Sequence, residues 1–167
     1  LAWVHCARTG KYTLITCHPK RGRDGINHAG VLGRFRGVAV HDAWAPYDTY
    51  LDPAHQLCCA HALRELAAVA DTAPADADWC WATQAGDALV AMQKLVAEAV
   101  AAGAAVDPDA LDTQVQLYRS AAQIGLTQTA ARTGKLMRKH HALARRLRDR
   151  QDDYLRFTTD QRIPPDN

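Results

Sequence analysis

The hydrophobic and polar positions divide the chain into an N-terminal part with strand patterns and a longer C-terminal part with helix patterns. Residues 2–7 and 12–18 are rich in β-branched and aromatic side chains, and Thr9-Gly10-Lys11 separates them. This arrangement predicts a β-hairpin. The run Gly37-Val38-Ala39-Val40 is a short apolar stretch after a glycine, which is typical of a buried central strand. A further short strand is expected at Gln56-Leu57-Cys58.

Helices are predicted both between these strands and after them. Asp24 is placed to cap a helix of about ten residues that stops at Gly33 or Gly37. From Ala60 onward the apolar residues recur at helical spacing, with a break from Asp71 to Asp78 that contains Pro74. The later helices are expected over Trp79 to Ala102, around Leu111 to Tyr118, and over Lys135 to Phe157 as one long helix whose apolar stripe is Leu136, Leu143, Leu147 and Tyr154.

Strands followed by helices favour a mixed α+β domain with a helical insertion. The length of 167 residues fits one domain, and an apolar fraction of 48% with 23% charged residues is ordinary for a soluble protein. We find no apolar run of the roughly 18 residues that a membrane span needs, and no leader pattern. Five cysteines without paired spacing favour a reducing cytoplasm.

Asp42 is the most informative candidate for chemistry, because it follows the predicted central strand directly. Ligands of open sheets gather at the carboxyl ends of buried strands, and a carboxylate there is a natural ligand for Mg²⁺ or Mn²⁺. The alternative is a loop aspartate that caps a turn. The neighbouring Trp44 and Tyr47 are candidates for stacking on an unpaired base, or else for packing.

A second cluster lies between His55 and Arg64 and contains Cys58, Cys59 and His61. Four cysteine and histidine side chains within seven residues suggest zinc, although a structural zinc site usually has a second, separated ligand pair. If a helix begins near Cys58, then Cys58, His61 and Arg64 or Glu65 share one face, which would offer His61 and Arg64 to a partner. A buried cysteine beside a hydrogen-bonded histidine is the structural alternative.

Basic residues are concentrated locally, although the net charge is only +2. Residues 132–150 contain eight lysines and arginines against the single acid Asp149, and Lys20, Arg21 and Arg23 form a smaller group. Such clusters suggest a polyanionic partner, most simply nucleic acid, unless they are only solvated helix faces. Other chemistry is not supported, since we find no Gly-x-Ser-x-Gly elbow and no glycine-rich phosphate loop.

Several segments together resemble the insertion-sequence-66 family of bacterial transposases. The first runs from Lys20-Arg21-Gly22 through Gly37-Val38-Ala39-Val40-His41-Asp42 to Tyr50, and the second is His55-x-x-Cys58-x-Ala60-His61-x-x-Arg64-Glu65-Leu66. The third, Ile163-Pro164-Pro165-Asp166-Asn167, is similar to the lead-in to that family's Asn-Asn-x-x-Glu-Arg segment. Cys59 departs from the pattern, since an aromatic residue is common there.

This resemblance implies the catalytic domain of a DDE transposase, with a ribonuclease H-like mixed sheet and a long helical insertion at roughly residues 73–134 of a single domain. Three carboxylates would hold two Mg²⁺ or Mn²⁺ ions that promote in-line attack on a phosphodiester. Asp42 matches the second acid. Cys58 and His61 match a motif near the active site. The residues expected to contact DNA are His61, Arg64, Lys20, Arg21 and Trp44.

The resemblance also implies binding partners and two further catalytic acids outside this chain. DNA would be both transposon end and target, in the cytoplasm of a bacterium at the nucleoid, with a homo-oligomer assembling on it. We expect the first acid on a strand before Leu1 and the final glutamate shortly after Asn167, so that this chain is the central piece of a longer protein. A non-catalytic nucleic-acid-binding module, or a decayed transposase remnant, is the alternative.

Overall fold

The computed structural model describes residues 1–74 and 77–167, and these contain four β-strands and seven α-helices. Short 3-10 turns at Leu32–Arg34 and Ala45–Thr49 flank the third strand. The elements are β1 (Trp3–Arg8), β2 (Thr13–His18), α1 (Arg23–His28), β3 (Val38–His41), β4 (Ala54–Leu57), α2 (Cys59–Ala70), α3 (Trp81–Ala102), α4 (Pro108–Gln128), α5 (Gly134–Asp149), α6 (Gln151–Tyr154) and α7 (Arg156–Thr159).

The predicted hairpin is confirmed. Strands β1 and β2 pair antiparallel, with Trp3 opposite His18 and Arg8 opposite Thr13. At the turn, the hydroxyl oxygen of Thr9 accepts hydrogen bonds from the backbone N–H groups of Lys11 and Tyr12. A short polar side chain thus closes the turn locally, as such residues commonly do.

A strand before Asp42 is also confirmed, and it pairs in parallel with β4. It is not the buried central strand that was predicted, because within the described residues it has one neighbouring strand and Val38 to Val40 are only half-buried. Val38 lies opposite Ala54 and His41 opposite Leu57, and the pairing continues because the Cys58 N–H donates to the His41 carbonyl at 2.8 Å. Within the described residues the four strands form two separate two-stranded sheets. The architecture is therefore mixed α+β, whereas the single mixed sheet of a ribonuclease H-like core is not confirmed.

The first helix differs from its prediction at both ends. It starts at Arg23 with Gly22 at the N-cap, so Asp24 is not the cap. Asp24 lies instead in the first turn and accepts a hydrogen bond from Lys20 Nζ at 2.7 Å. The helix ends at His28, before Gly33 and Gly37, because the chain turns at Gly30, whose φ of 68° is a left-handed conformation that favours glycine.

The predicted helices α2, α3 and α4 are confirmed. The first two differ from the prediction by one or two residues at an end, whereas α4 continues ten residues beyond Tyr118 to Gln128. Gly103, with φ of 62°, ends α3. Asp107 caps α4 by accepting from the N–H groups of Asp109 and Ala110. The predicted break from Asp71 to Asp78 includes residues 75 and 76, which lie outside the described residues.

The core lies where α2, α3, α4 and α5 pack together against β4. Its largest fully buried side chains include Leu57, Leu66, Leu89, Met92, Tyr118, Leu147, Tyr154 and Phe157. In the described ranges, none of the helices combines the length and the hydropathy that a bilayer-spanning segment requires.

The single long helix predicted over Lys135 to Phe157 is wrong. The backbone leaves helical geometry at Arg150 and at Leu155, so the segment divides into α5, α6 and α7. The interruption at Leu155 has a physical reason in Gln56, whose buried side-chain amide donates to the Tyr154 carbonyl at 3.0 Å and accepts from the Phe157 N–H at 3.0 Å. In the predicted stripe, Leu143, Leu147 and Tyr154 are buried, but Leu136 is 53% exposed.

Gly125 gives a test of the α3–α4 packing. A Cβ at Gly125 would lie 2.7 Å from two ring atoms of the buried Trp81, whereas a Cβ at Gly86 would meet only Leu63 Cδ2 at 3.7 Å. We expect Gly125→Ala to lower the free energy of unfolding by about 1–2 kcal/mol, because overpacking outweighs the gain in helix propensity.

The matched control is Gly86→Ala, which should raise the free energy of unfolding by up to about 1 kcal/mol, since alanine fits there and favours the helix. Urea denaturation followed by circular dichroism measures both variants. Equal changes in the free energy of unfolding for the two variants would show that the close contact between Gly125 and the Trp81 ring does not require glycine.

Candidate functional site

Asp42 lies at the carboxyl end of the parallel pair β3–β4, as the strand pattern predicts. Its side chain is half-buried, and its Oδ1 accepts a hydrogen bond from the Trp44 N–H at 3.2 Å. Ala43, between them, has φ of 61°, a strained conformation for a residue with a Cβ. Within residues 1–74 and 77–167 no lysine, arginine or histidine forms an ion pair with Asp42. The carboxylate is therefore held by a turn and is available to a ligand.

A chain of hydrogen bonds through two histidines supports the turn after Asp42. The Ala43 N–H donates to His41 Nδ1 at 3.2 Å, so His41 carries its proton on Nε2 and donates it to His55 Nδ1 at 2.9 Å. His55 in turn donates from Nε2 to the Tyr50 carbonyl at 2.9 Å. Each ring therefore has one donor and one acceptor in this arrangement, and His41 is neutral.

Burial keeps His41 in this neutral form. The ring is 3% exposed, and burial, followed by the charges of His55 and Arg150, lowers the pKa of His41 from 6.5 to about 4. Tyr47 packs against the same ring with 4.5 Å between the ring centroids. Burial, followed by the negative charge of Asp42, raises the pKa of Tyr47.

Two of the residues predicted to contact DNA lie together beside Asp42. The guanidinium carbon of Arg21 is 4.2 Å from the centroid of the Trp44 ring and 5.4 Å from the Trp3 ring. Cation–π contacts of this kind hold the arginine at the surface while its N–H groups remain directed to solvent or to a ligand. Lys20 is bonded to Asp24 and is largely exposed.

Cys58 and His61 are also in contact, at the end of β4. His61 Nδ1 is 3.1 Å from Cys58 Sγ, and the cysteine is 1% exposed. The remaining predicted residue, Arg64, is exposed one turn further along α2, while its neighbour Glu65 pairs with Arg146 Nη2 at 2.7 Å. The expected shared face therefore brings Cys58 and His61 together. Glu65, the acid expected on that face, is already paired with Arg146.

The C-terminal segment returns to the same place, which the sequence did not predict. Asp166 Oδ1 accepts from the Ala60 N–H at 2.6 Å and lies 3.7 Å from Cys58 Sγ. The Cys59 N–H donates to the Pro165 carbonyl at 2.9 Å. Because Cys58 itself makes no side-chain cap, Asp166 supplies the carboxylate that the N-terminus of α2 favours.

Among residues 1–74 and 77–167, neither Cys58 nor Cys59 belongs to a larger ligand set. Burial, followed by the charge of Asp166, raises the pKa of the Cys59 thiol to about 12, so it is inert as a nucleophile or ligand. Over the described ranges, no group of three histidine, cysteine, aspartate or glutamate side chains is arranged to hold a metal ion.

The depressed pKa of His41 predicts a dependence of stability on pH. The unfolded chain binds the proton below about pH 6.5 and the folded chain only below about 4, so stability should fall as the pH is lowered through this interval. The loss should reach about 2–3 kcal/mol. The positive charge of Arg150 opposes protonation of His41, whereas the negative charges of Asp48 and Asp42 favour it.

Urea denaturation at pH 7 and at pH 4.5 measures this loss, with His41→Gln as the variant and the exposed His28→Gln as the control. We expect a smaller loss of stability for His41→Gln than for the parent and an unchanged loss for His28→Gln. The same loss in all three proteins would contradict the assignment to His41.

The cap that Asp166 forms can be tested in the same way. Asp166→Ala should lower the free energy of unfolding by about 1 kcal/mol, since it removes the carboxylate from the N-terminus of α2. Asp87→Ala, at an exposed position inside α3, is the control and should not destabilise the protein. Thermal melting followed by circular dichroism compares the two, and equal melting temperatures would contradict a capping role.

Comparison with known proteins agrees with the resemblance in the sequence. The family model described as Transposase IS66 family matches residues 1–167, which is the whole chain. Searches against curated proteins and against solved structures give no match. The family indicates a role in transposition and, with it, binding to DNA. The chain belongs to the IS66 family of transposases.

Proposed function

We propose that Asp42 is a catalytic carboxylate, and that the full-length protein uses it in metal-dependent cleavage and transfer of DNA strands. The observation that carries this proposal is the position of Asp42 at the carboxyl ends of two parallel strands. The side chain is half-exposed there and held on one side by the Trp44 N–H. Sites of open sheets form at such strand ends.

The proposed fold is a ribonuclease H-like catalytic domain of the DDE type. The antiparallel pair β1–β2 and the parallel pair β3–β4 are parts from which one mixed sheet can be built, if a further strand joins them. Helices α3 and α4 lie within the proposed insertion at roughly residues 73–134. The remaining helices return the chain to the end of β4, where Asp166 caps α2.

A divalent cation, Mg²⁺ or Mn²⁺, fits Asp42 as one ligand, because the carboxylate is accessible and has no cationic partner among the described residues. The described residues do not complete a site, so we propose that the other acids lie outside residues 1–167. When bound, such ions activate a water or a DNA 3′-hydroxyl and stabilise the leaving oxygen.

The residues of this chain would position the acid and the DNA. The hydrogen-bonded pair His41–His55 fixes the turn at Ala43 and thereby the direction of the Asp42 carboxylate. Arg21 would contact phosphate and Trp44 an unstacked base beside Asp42. Further DNA contacts are proposed for three cationic or ionisable side chains: Lys20, His61 and Arg64.

The DNA substrate also defines the cellular context that we propose. Transposon ends and target DNA would be the partners, in the bacterial cytoplasm at the nucleoid. Strand transfer joins two DNA ends to a target, so a homo-oligomer assembled on DNA would supply one active site for each end.

One observation favours a second candidate function. The described residues contain no group of three side chains arranged to hold a metal ion, and a decayed transposase remnant or a non-catalytic nucleic-acid-binding module would need none. Such a module would bind DNA with a steep dependence on salt and without any dependence on Mg²⁺. Metal-dependent cleavage by the full-length protein therefore separates the two functions.

The test of Asp42 is its replacement in the full-length protein. Asp42→Asn keeps the size and the acceptor for the Trp44 N–H but removes the negative charge that a metal ion requires. We expect strand cleavage and transfer to fall by more than about 100-fold, with DNA binding retained. Gel assays with a labelled transposon end in Mg²⁺ buffer measure the rate.

The control is Asp52→Asn, an exposed acid ten residues further along that pairs with Arg36. It should leave the rate within about twofold of the parent, because surface ion pairs contribute little. A near-normal rate for Asp42→Asn would remove Asp42 from the catalytic site. Loss of activity in both variants would indicate a general effect of charge.

A further inference from the structure

We propose that the exposed face of α5 binds the sugar–phosphate backbone of duplex DNA at a surface separate from Asp42. The surface, called the α5 basic face below, consists of Arg132 just before the helix and Lys135, Arg138, Lys139 and Arg145 within it. The inference relies on the proposed function only in that the bound DNA is the substrate of the Asp42 site. Binding itself is measured without catalysis.

The α5 basic face lies opposite the side of the helix that packs against the core. The buried side chains of α5 are His140, His141, Leu143, Ala144 and Leu147. The five basic residues are all exposed, and the four within the helix share one side because they are spaced by three, four and ten residues. The helix thus presents a continuous positive strip to solvent.

The structure separates these five residues from the other basic residues of the segment. Arg146 pairs with Glu65, Arg148 with Asp149, and Arg150 with Asp48 and Asp153. All three cations are paired with acids. Arg146 and Arg150 connect distant segments of the chain, whereas Arg148 pairs with its neighbour in the sequence. No carboxylate in residues 1–74 and 77–167 forms an ion pair with any member of the α5 basic face.

Charge complementarity selects the phosphate backbone as the ligand. The five positive charges of the strip have no ion-pair partner among the described residues, although the net charge of the chain is only +2. Lysine and arginine side chains supply many of the hydrogen bonds to phosphate oxygens in protein–DNA complexes, and the strip contains no aromatic residue that could stack on a base. The expected binding is therefore independent of DNA sequence.

The position of α5 relates this strip to Asp42. Arg150, at the end of α5, is bonded to Asp48 in the turn that follows Asp42. The 16 residues of α5 extend for about 24 Å. That length corresponds to about seven base pairs of duplex DNA. The C-terminal end of α5, five residues beyond Arg145, is thus fixed at the loop of the candidate site. The strip runs from Arg145 back to Lys135 over about 15 Å of the helix, or about four base pairs.

The experiment measures DNA affinity against salt in the full-length protein that carries Asp42→Asn, so that no cleavage occurs. A quadruple variant changes Lys135, Arg138, Lys139 and Arg145 to Gln. The control changes four other exposed cations to Gln, namely Lys11, Arg36, Lys94 and Arg162, and therefore alters the net charge equally. Fluorescence anisotropy with a random-sequence duplex gives Kd between about 50 and 200 mM KCl.

We expect the slope of log K against log salt to become shallower by about 3 in the face variant, since about 0.9 counterions are released for each phosphate contact. The control should change the slope by less than about 1. Circular dichroism should show equal melting temperatures, because all eight side chains are exposed.

Equal slopes for the face variant and the control would overturn the proposal, because the strip would then be an ordinary solvated helix face. This outcome differs from failure of the proposed function. If the proposed function were wrong, Asp42→Asn would retain cleavage, and this result would not depend on how the α5 variants bind DNA.

Discussion

The side chain of Gln56 is fully buried, and its amide joins strand β4 to the C-terminal turns of the chain. Its Nε2 donates to the carbonyls of Leu57 and Tyr154, and its Oε1 accepts from the Phe157 N–H. A buried amide left without such partners costs about 1–3 kcal/mol for each group. The long C-terminal helix therefore cannot continue through Tyr154. Instead the chain bends around the end of β4.

This bend determines what surrounds the candidate site. After α7, Ile163 is buried in the core, and Pro165 and Asp166 are bonded to the first residues of α2. In the parallel pair, His41 of β3 and His55 of β4 hold the turn that carries Asp42. The candidate acid, the Cys58–His61 pair and the C-terminal segment thus lie at the same ends of two parallel strands.

Features determined by neighbouring residues could be predicted from the sequence. The hairpin, the apolar strand before Asp42 and the helices α2 to α4 follow local periodicity and turn residues. The division of the last helix could not be predicted, because Leu143, Leu147 and Tyr154 keep helical spacing without an intervening glycine or proline. The break depends on Gln56, which is about one hundred residues away in the chain. The same applies to the site: Asp42 was found from its strand, whereas the histidine pair and the Asp166 cap depend on distant partners. The basic residues at 132–150 also form one group in the sequence. Over the part of the chain that it describes, the structure divides them into three that are paired with acids and five that are not.

The N-terminal hairpin has a different relation to the rest of the molecule. Val4 and Ile15 are more than 60% exposed, and the hairpin contacts mainly α1 rather than the helical core. Two-stranded hairpins are marginally stable by themselves, so backbone amides in β1 and β2 should exchange with solvent deuterium well before those of α3 and α4. Trp3 belongs to this hairpin and contacts Arg21. Each local opening of the hairpin would therefore also remove the contact between Trp3 and Arg21. The order of the Arg21 side chain beside Asp42 thus depends on a hairpin that opens almost independently of the core.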